Sequence, residues 1–586
     1  MNTLKIFKKT GNSFLKTKSY SDFPLTLESF LHYQANNVFN YPDLYDILQE
    51  NIEGLFADES NVEYKSDYSG VLAYGEVQSG KTANMICSLI KAYSLGFKNV
   101  FILTGNNDPL HKQTFNRFVK ETFAFKKFLK EDIVEKNDFS IFNNDFSKFL
   151  GVDYSPAISF INLKGRFSIN DEIQTAELNN QIEIWNRNNK MNVFFVLKNT
   201  SNYNKMKSIV QGMNPISDRN GILILDDESD WGFDNSEIIN NPELYNILVD
   251  IKESCHSTGK YLKYLAFTAT PYKIFKNTRE NFINNKTVLL KSKVIEEWMH
   301  YNFIIENQPF YCGIDVFHKE NSFEYLREAV GSDSQMNVFK TLNKNFIKTV
   351  PNDHNEDDLL KLSLILFLLN SYIYNREKAN LGKSKKIVHG LFFPNIRENK
   401  HKYFFDLAIS NNKIFNNLLL EHEIESALDF EKIFLMNISP DMYVIKRMII
   451  EKLNRVNVIN FVDFFRKWST IVLNDPETFL VKMSGLETED KKYDTKEIID
   501  GINSVFIIGG YKIARGVTFD NLLLEVLTAN SIQSDSTLQR ARWFGYRDLT
   551  TLNAMDIILS EETNRSFETA IAEDDLWRKQ SEKNGF

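Results

Sequence analysis

Residues Gly75–Thr82 read GEVQSGKT and fit G-x-x-x-x-G-K-S/T at every fixed position. A glycine-rich turn of this spacing lets successive backbone N–H groups close around a phosphate. A helix starting directly after it adds the positive end of its dipole. Gly75, Gln78, Ser79 and Gly80 would form the cradle, Lys81 would reach the β- and γ-phosphates of a nucleotide, and the Thr82 hydroxyl would ligate Mg2+. Such a turn needs an acidic partner at the end of another strand. GILILDDESD, Gly221–Asp230, supplies it: an apolar run that closes in Asp226, Asp227, Glu228 and Asp230. Asp227 is the expected metal residue, acting through water. Glu228 is the expected group that orients and deprotonates an attacking water. A third run, FTATPYK (Phe267–Lys273), ends in Thr268 and Thr270, whose hydroxyls can couple the acidic cluster to movement.

These residues need a scaffold that brings strand ends together. VLAY (Val71–Tyr74) precedes a helical run over Thr82–Leu95, and NVFILT (Asn99–Thr104) precedes another over Leu110–Thr122. Ala157–Leu163, Asn192–Leu197, Gly221–Leu225 and Tyr264–Thr270 read as further strands. Continuous apolar strands alternating with helices predict a parallel sheet covered on both faces, so the fold class is α/β. A long apolar helix over Asp357–Asn380 opens a second alternation, with strands at Lys386–Phe393, Phe479–Ser484, Ser504–Gly510 and Leu522–Leu527.

Composition narrows the function classes. The chain has 586 residues, 43% hydrophobic and 25% charged, the balance of a soluble multi-domain protein. With 77 acidic against 69 basic residues the net charge is -8, which argues against coating nucleic acid by bulk charge but permits a local basic groove. Three cysteines, Cys87, Cys255 and Cys312, form no C-x-x-C pair, so a disulfide framework or cysteine-based zinc site is not expected and a reducing cytoplasm is. MNTLKIFKKTGNSF has no apolar segment of signal-peptide type. The apolar stretch Leu362–Tyr374, broken by Asn370 and Ser371, reads as a buried helix, and no membrane partner is expected.

The ordered set of phosphate loop, D-E-x-D (Asp227–Asp230) and T-A-T (Thr268–Thr270) resembles superfamily 2 helicases and translocases. In the second half, ARGVTF (Ala514–Phe519) is similar to that superfamily's A-R-G-x-D/T element. QRARWFGYR (Gln539–Arg547) falls where its arginine-finger motif lies. GEVQSGKTANM, LDDESD, FTATPY, IIGGYKIARGVTF and TLQRARWFGYR together resemble the Z1-domain family, bacterial ATPases often labelled endonucleases and found in restriction-like or phage-defence gene sets.

The resemblance implies two RecA-like P-loop domains with ATP and Mg2+ bound between them. It implies a helical N-terminal segment at 1–65, a first domain at 66–290, an insertion at 291–355, and a second domain at 356–586 with a helical insertion at about 400–475. It carries nucleotide binding onto Gly516 and Gln539 and nucleic-acid contact onto Arg515. It makes Arg542 the first choice for the arginine finger and Arg547 the second. The superfamily's last motif reads Q-x-x-G-R-x-x-R, and here the arginine spacing departs from it, so the choice stays open. Arg540 is expected to pair with a surface carboxylate, and Trp543, Phe544 and Tyr546 to pack behind the arginines.

The loop and helix after Thr104 offer Asn106, Lys112, Gln113 and Arg117 as donors to a nucleic-acid backbone. His389 reads as a buried histidine rather than a contact. The one P-D…E-x-K-like run, Pro440-Asp441 with Glu451-Lys452, has the wrong spacing for a nuclease, so a partner nuclease or other defence subunit is expected to cut. The function expected is an ATP-hydrolysing motor on nucleic acid, with DNA the expected strand. The alternatives are a nucleotide-dependent switch that recruits an effector nuclease, and an endonuclease in this chain.

Overall fold

The structure is a computed structural model of the chain. It describes residues 30–31, 44–57, 67–105, 108–128, 152–153, 158–164, 171–187, 190–213, 221–229, 242–270, 298–305, 311–319, 322–327, 338–383, 386–394, 398–483, 498–510, 519, 521–529 and 534–584. The chain divides into two compact units, Met1–Pro309 with Lys579–Phe586, and Phe310–Arg578.

In the first unit, α1 (Leu44–Leu55) precedes β1 (Tyr68–Tyr74), α2 (Lys81–Ser94), β2 (Asn99–Thr104), α3 (Asp108–Phe128), β3 (Val152–Asp153), β4 (Ile158–Asn162) and α4 (Glu172–Arg187). β5 (Met191–Leu197), α5 (Thr200–Gly212), β6 (Ile222–Asp226), α6 (Pro242–Ser257), β7 (Leu262–Thr268) and β8 (Tyr301–Ile304) follow. The sheet order is β3-β4-β5-β2-β6-β7-β1-β8, parallel throughout except where β3 meets β4.

Every residue of β1, β5, β6 and β7 is buried, because helices cover both faces. The period of two sorts their side chains between two layers. Val71 and Ala73 join Leu48 of α1, Met85 of α2 and Phe118 of α3. Leu72 and Phe101 join Ile182 of α4, Met206 of α5 and Leu248 of α6. This packing sets the C-terminal ends of β6, β7 and β1 side by side, the edge where α/β sheets bind ligands.

The second unit contains β9 (Tyr311–Cys312), β10 (Ser322–Arg327), β11 (Val338–Asn343), β12 (Ile347–Val350), α7 (Glu356–Asn380) and β13 (Val388–Phe393). Four helices come next: α8 (Glu398–Glu421), α9 (Ala427–Phe434), α10 (Tyr443–Leu453) and α11 (Val458–Asn474). The unit ends in β14 (Leu480–Met483), β15 (Ser504–Gly509), β16 (Leu522–Leu527), α12 (Ser534–Gln539), β17 (Gly545–Tyr546), α13 (Leu549–Ala554), β18 (Asp556–Ser560) and α14 (Glu561–Asn584). Its main sheet is parallel, in the order β12-β18-β16-β13-β15-β14.

α7 starts at Asn355, whose side chain accepts from the N–H groups of Asp357 and Asp358, and its acidic first turn suits the helix dipole. Leu362 through Leu369 are all buried, as expected for a helix enclosed on all sides. α7 packs on β16, α8, α10 and α13.

The α/β class with parallel sheets is observed, and α8 to α11 occupy the helical stretch expected at about 400–475. The segment expected as an insertion, 291–355, contributes an edge strand to each sheet, β8 to the first and β12 to the second. Each has four residues, too few for a periodic signal in the sequence. Among the described residues no helix is long and apolar enough to cross a membrane.

Candidate functional site

β1 ends at Tyr74, and the loop to α2 is shaped by two left-handed residues, Gln78 (φ 59°) and Gly80 (φ 90°). Gly80 is the N-cap of α2, where only glycine takes this conformation without cost. A Cβ on Gly75 would lie 2.8 Å from Ser79 Oγ, so the loop closes on itself only with glycine there. Lys81 folds back over the loop and donates from Nζ to the carbonyls of Glu76 at 2.8 Å and Gly75 at 3.4 Å. Gln78 Nε2 is buried without a hydrogen-bond partner, a donor left for an incoming acceptor. Lys81 and Thr82 are half-buried, open enough to meet a ligand.

At the end of β6 the two aspartates go separate ways. Asp226 is fully buried, with Lys198 Nζ 2.6 Å from one oxygen and the Tyr264 hydroxyl donating to the other. Asp227 is 7% exposed. Burial raises its pKa above the ordinary carboxylate value, and the charges of Lys198 and Lys81 oppose part of that rise. Glu228 is half-buried and left-handed, with φ 50°. Thr82 and Asp227 offer oxygen ligands, the chemistry a hard divalent cation takes.

The terminus of β7 is tied to both sides. Thr268 O accepts from Gly75 N at 3.1 Å, and Phe267 O accepts from Ser229 N at 2.9 Å. Thr268 and Thr270 are wholly buried, and Thr268 Oγ1 accepts from Thr270 N at 3.0 Å. A shift of the phosphate loop or of the carboxylate turn therefore pulls on one strand end.

The described nucleic-acid candidates, Lys112, Gln113 and Arg117, all lie on α3. Lys112 is half-buried and Gln113 exposed on α3, while Arg117 pairs with Glu121 at 2.9 Å. Asn106, Arg515 and Gly516 lie outside the described residues. The sequence reading passed over His111, which is fully buried, 2.6 Å from Thr104 Oγ1 and 2.9 Å from Asn162 Oδ1. That contact anchors the start of α3 to the ends of β2 and β4.

In the second unit Gln539, Arg540, Arg542 and Arg547 are all buried. Arg547 donates to the carbonyls of Phe519 at 2.6 Å, Arg542 at 2.7 Å, Phe544 at 3.1 Å and Trp543 at 3.4 Å. Arg542 donates to Gln539 O, and Arg540 to Ala529 O. Trp543 and Phe544 are buried and pack edge to face at 5.8 Å, with Phe567 5.0 Å from Trp543. His389 is half-buried, its ring 5.5 Å from that of Phe519, and burial and Arg547 together push it down to about 3.

The expectation for Arg540 is corrected: it is 4% exposed, and the carboxylate it faces is the fully buried Glu525 in β16. The sequence did carry a signal, a single acid inside LLLEVL. An acid buried in a strand core calls for a cation.

Comparisons with known proteins bear on this second unit. Residues 409–584 match the Z1 domain. None of the curated proteins matches the chain. Among solved structures the chain is similar to S. cerevisiae Dbp5 bound to RNA and ADP BeF3, with 10% identity, 92% of this chain and 90% of that chain covered, and a TM-score of 0.40. It is similar to the Mycobacterium smegmatis helicase Lhr bound to ssDNA and AMP-PNP, with 7% identity, 89% and 48% covered, and a TM-score of 0.41. It is also similar to the Pyrococcus furiosus Hef helicase domain, with 12% identity, 90% and 98% covered, and a TM-score of 0.31.

The Z1 segment contains the whole arginine stretch and Glu525. It also contains the nuclease-like run, whose residues go to three separate partners. Asp441 accepts from Asn355 N at 2.8 Å, Glu451 pairs with Arg447 at 2.8 Å, and Lys452 Nζ lies 2.6 Å from Asp556.

Glu525 makes the Z1 segment sensitive to pH. Burial pushes its carboxyl up to about 8, against the pull of Arg542, Arg547 and Arg540. In the unfolded chain it releases its proton near the ordinary glutamate value of about 4.3. The folded state therefore holds the proton across that window, and stability falls as pH rises through it. Glu525→Gln carries no such proton, so its thermal midpoint is expected to vary less with pH between about 5 and 8. Melting curves of both proteins across that range check this, and parallel pH profiles would refute it.

Proposed function

We propose that the chain is an ATP-hydrolysing motor of superfamily 2 type that acts on nucleic acid, with DNA the expected strand, in the cytoplasm of bacteria as part of an anti-phage or restriction-like system. The observation that carries this reading is one strand end hydrogen-bonded to both loops, Thr268 O accepting from Gly75 N and Phe267 O from Ser229 N.

ATP binds with its phosphates in the Gly75–Thr82 loop. Lys81 leaves its two loop carbonyls and turns to the β- and γ-phosphates, while Gln78, Ser79 and Gly80 donate to phosphate oxygens. Thr82 and Asp227 hold Mg2+, which when bound offsets the charge on the phosphate oxygens. Glu228 takes the proton from the attacking water. Arg542 acts on the γ-phosphate with Arg547 as its brace, and Gly516 and Gln539 complete nucleotide binding. Thr268 and Thr270 pass the change at the phosphates to a strand gripped by Asn106, Lys112, Gln113, Arg117 and Arg515. A partner nuclease performs any cutting.

The test is ATP turnover of the purified chain with and without single- and double-stranded DNA and RNA. Turnover is expected to rise severalfold with one of these polymers, DNA first. Equal turnover under all conditions would remove the motor reading and favour a nucleotide-dependent switch.

A further inference from the structure

Lys198 follows the last residue of β5, two strands away from β6 in the sheet. Its side chain is 3% exposed and passes to the end of β6. There Nζ contacts three oxygens: Asp226 Oδ1 at 2.6 Å, the Asp227 carbonyl at 2.5 Å and the Glu228 carbonyl at 2.8 Å. The two carbonyl contacts are hydrogen bonds and the carboxylate contact is an ion pair. The turn it holds is strained, because Glu228 takes a left-handed φ of 50° that a residue with a Cβ rarely adopts. The turn is also pinned at its flanks, by Asp227 N to Leu103 O at 3.0 Å and Ser229 N to Phe267 O at 2.9 Å. Lys198 is the one side chain among these contacts.

We propose that Lys198 is a positioning residue that holds the Asp227–Glu228 turn in the shape needed to bind a divalent cation, with Asp226 holding Lys198 in place. The proposal rests on the function proposed above only in taking Asp227 as a metal ligand. Two aspects separate it from an ordinary buried ion pair. Two of the three Nζ contacts go to backbone carbonyls rather than to the acid. Those carbonyls belong to the two residues whose side chains would do the chemistry.

Lys198→Met alone leaves Asp226 as an unpaired buried charge and can unfold the unit, so the informative protein is Lys198→Met with Asp226→Asn. That pair removes both charges and keeps an oxygen to accept from Tyr264. The measurement is Mn2+ affinity by electron paramagnetic resonance, with a non-hydrolysable ATP analogue at saturation. Loss of a residue that orients a metal ligand typically weakens metal binding by about 10–100-fold, and that drop is expected here with thermal stability near wild type. Asp226→Asn alone keeps Lys198 on both carbonyls and should weaken Mn2+ less than the double variant does. Wild-type Mn2+ affinity in a folded double variant would overturn the positioning role. Absent ATP turnover in a wild-type protein that binds Mn2+ would sink the motor reading alone. Failure of the wild type to bind Mn2+ would overturn both.

Discussion

Lys81→Ala is expected to lower ATP turnover by about 10²–10³-fold, the cost typical of losing one preorganised donor at a developing negative charge. The fold should not change with it. Lys81 opens α2, alanine is the best helix former, and the two carbonyls Lys81 covers sit in a half-buried loop that water can reach. The loss is therefore specific to the site. Lys81 also supplies one of the two positive charges that hold Asp227 down against its burial, so the variant weakens the carboxylate as well as the cradle. Steady-state hydrolysis beside a melting curve checks this. Undiminished turnover would show that Gly75–Thr82 is not where phosphate chemistry occurs.

Arg547→Ala is expected to destabilise the second unit by about 3–5 kcal/mol, since several buried acceptors are left unsatisfied at about 1–3 kcal/mol each. Four backbone carbonyls lose the group that satisfies them, those of Phe519, Arg542, Trp543 and Phe544. For a unit of this size the thermal midpoint should fall by roughly 6–20 °C. Arg547→Lys should recover only part, since one ammonium cannot reproduce the planar fork that reaches several carbonyls at once. Arg542→Ala is expected to lower turnover by about 10³-fold, and since Arg542 is also buried and its charge acts on Glu525, to lower stability as well. An Arg547→Ala protein that melts like wild type but has lost turnover would reverse the two assignments.

The Gly75–Thr82 loop was legible because all of its parts are contiguous: two glycines at fixed spacing, a lysine and a hydroxyl, between a strand and a helix. The central strands were legible because parallel strands buried on both faces are apolar at nearly every position. β8, β12 and β18 escaped for the opposite reason. Each is short, and β18 has only Ile557, Ile558 and Leu559 as its apolar core, too little to tell a strand from a helix by period. His111 escaped because a histidine at a helix start looks like any polar residue until Thr104 and Asn162 are brought against it.

What the amino-acid sequence determined alone is residue chemistry that lies along the chain: a glycine-rich loop with a lysine, an acidic strand end, a threonine pair and a dense run of arginines. What only the tertiary structure decided is how neighbours of the same type divide their tasks. Asp226 and Asp227 are identical in type and adjacent, yet Asp226 is held by its carboxylate, against Lys198 and Tyr264, while Asp227 is held by its backbone, against Leu103 O and Lys198. Arg540, Arg542 and Arg547 share one charge and one stretch, yet Arg547 is closed by four carbonyls while Arg542 turns to Gln539 O and Arg540 to Ala529 O. The physical reason is the same in both cases. Charge type is written in the residue, but how each charge is held depends on burial and on which polar atoms the fold brings to it, from other strands for Asp226 and mostly from the local turn for the arginines.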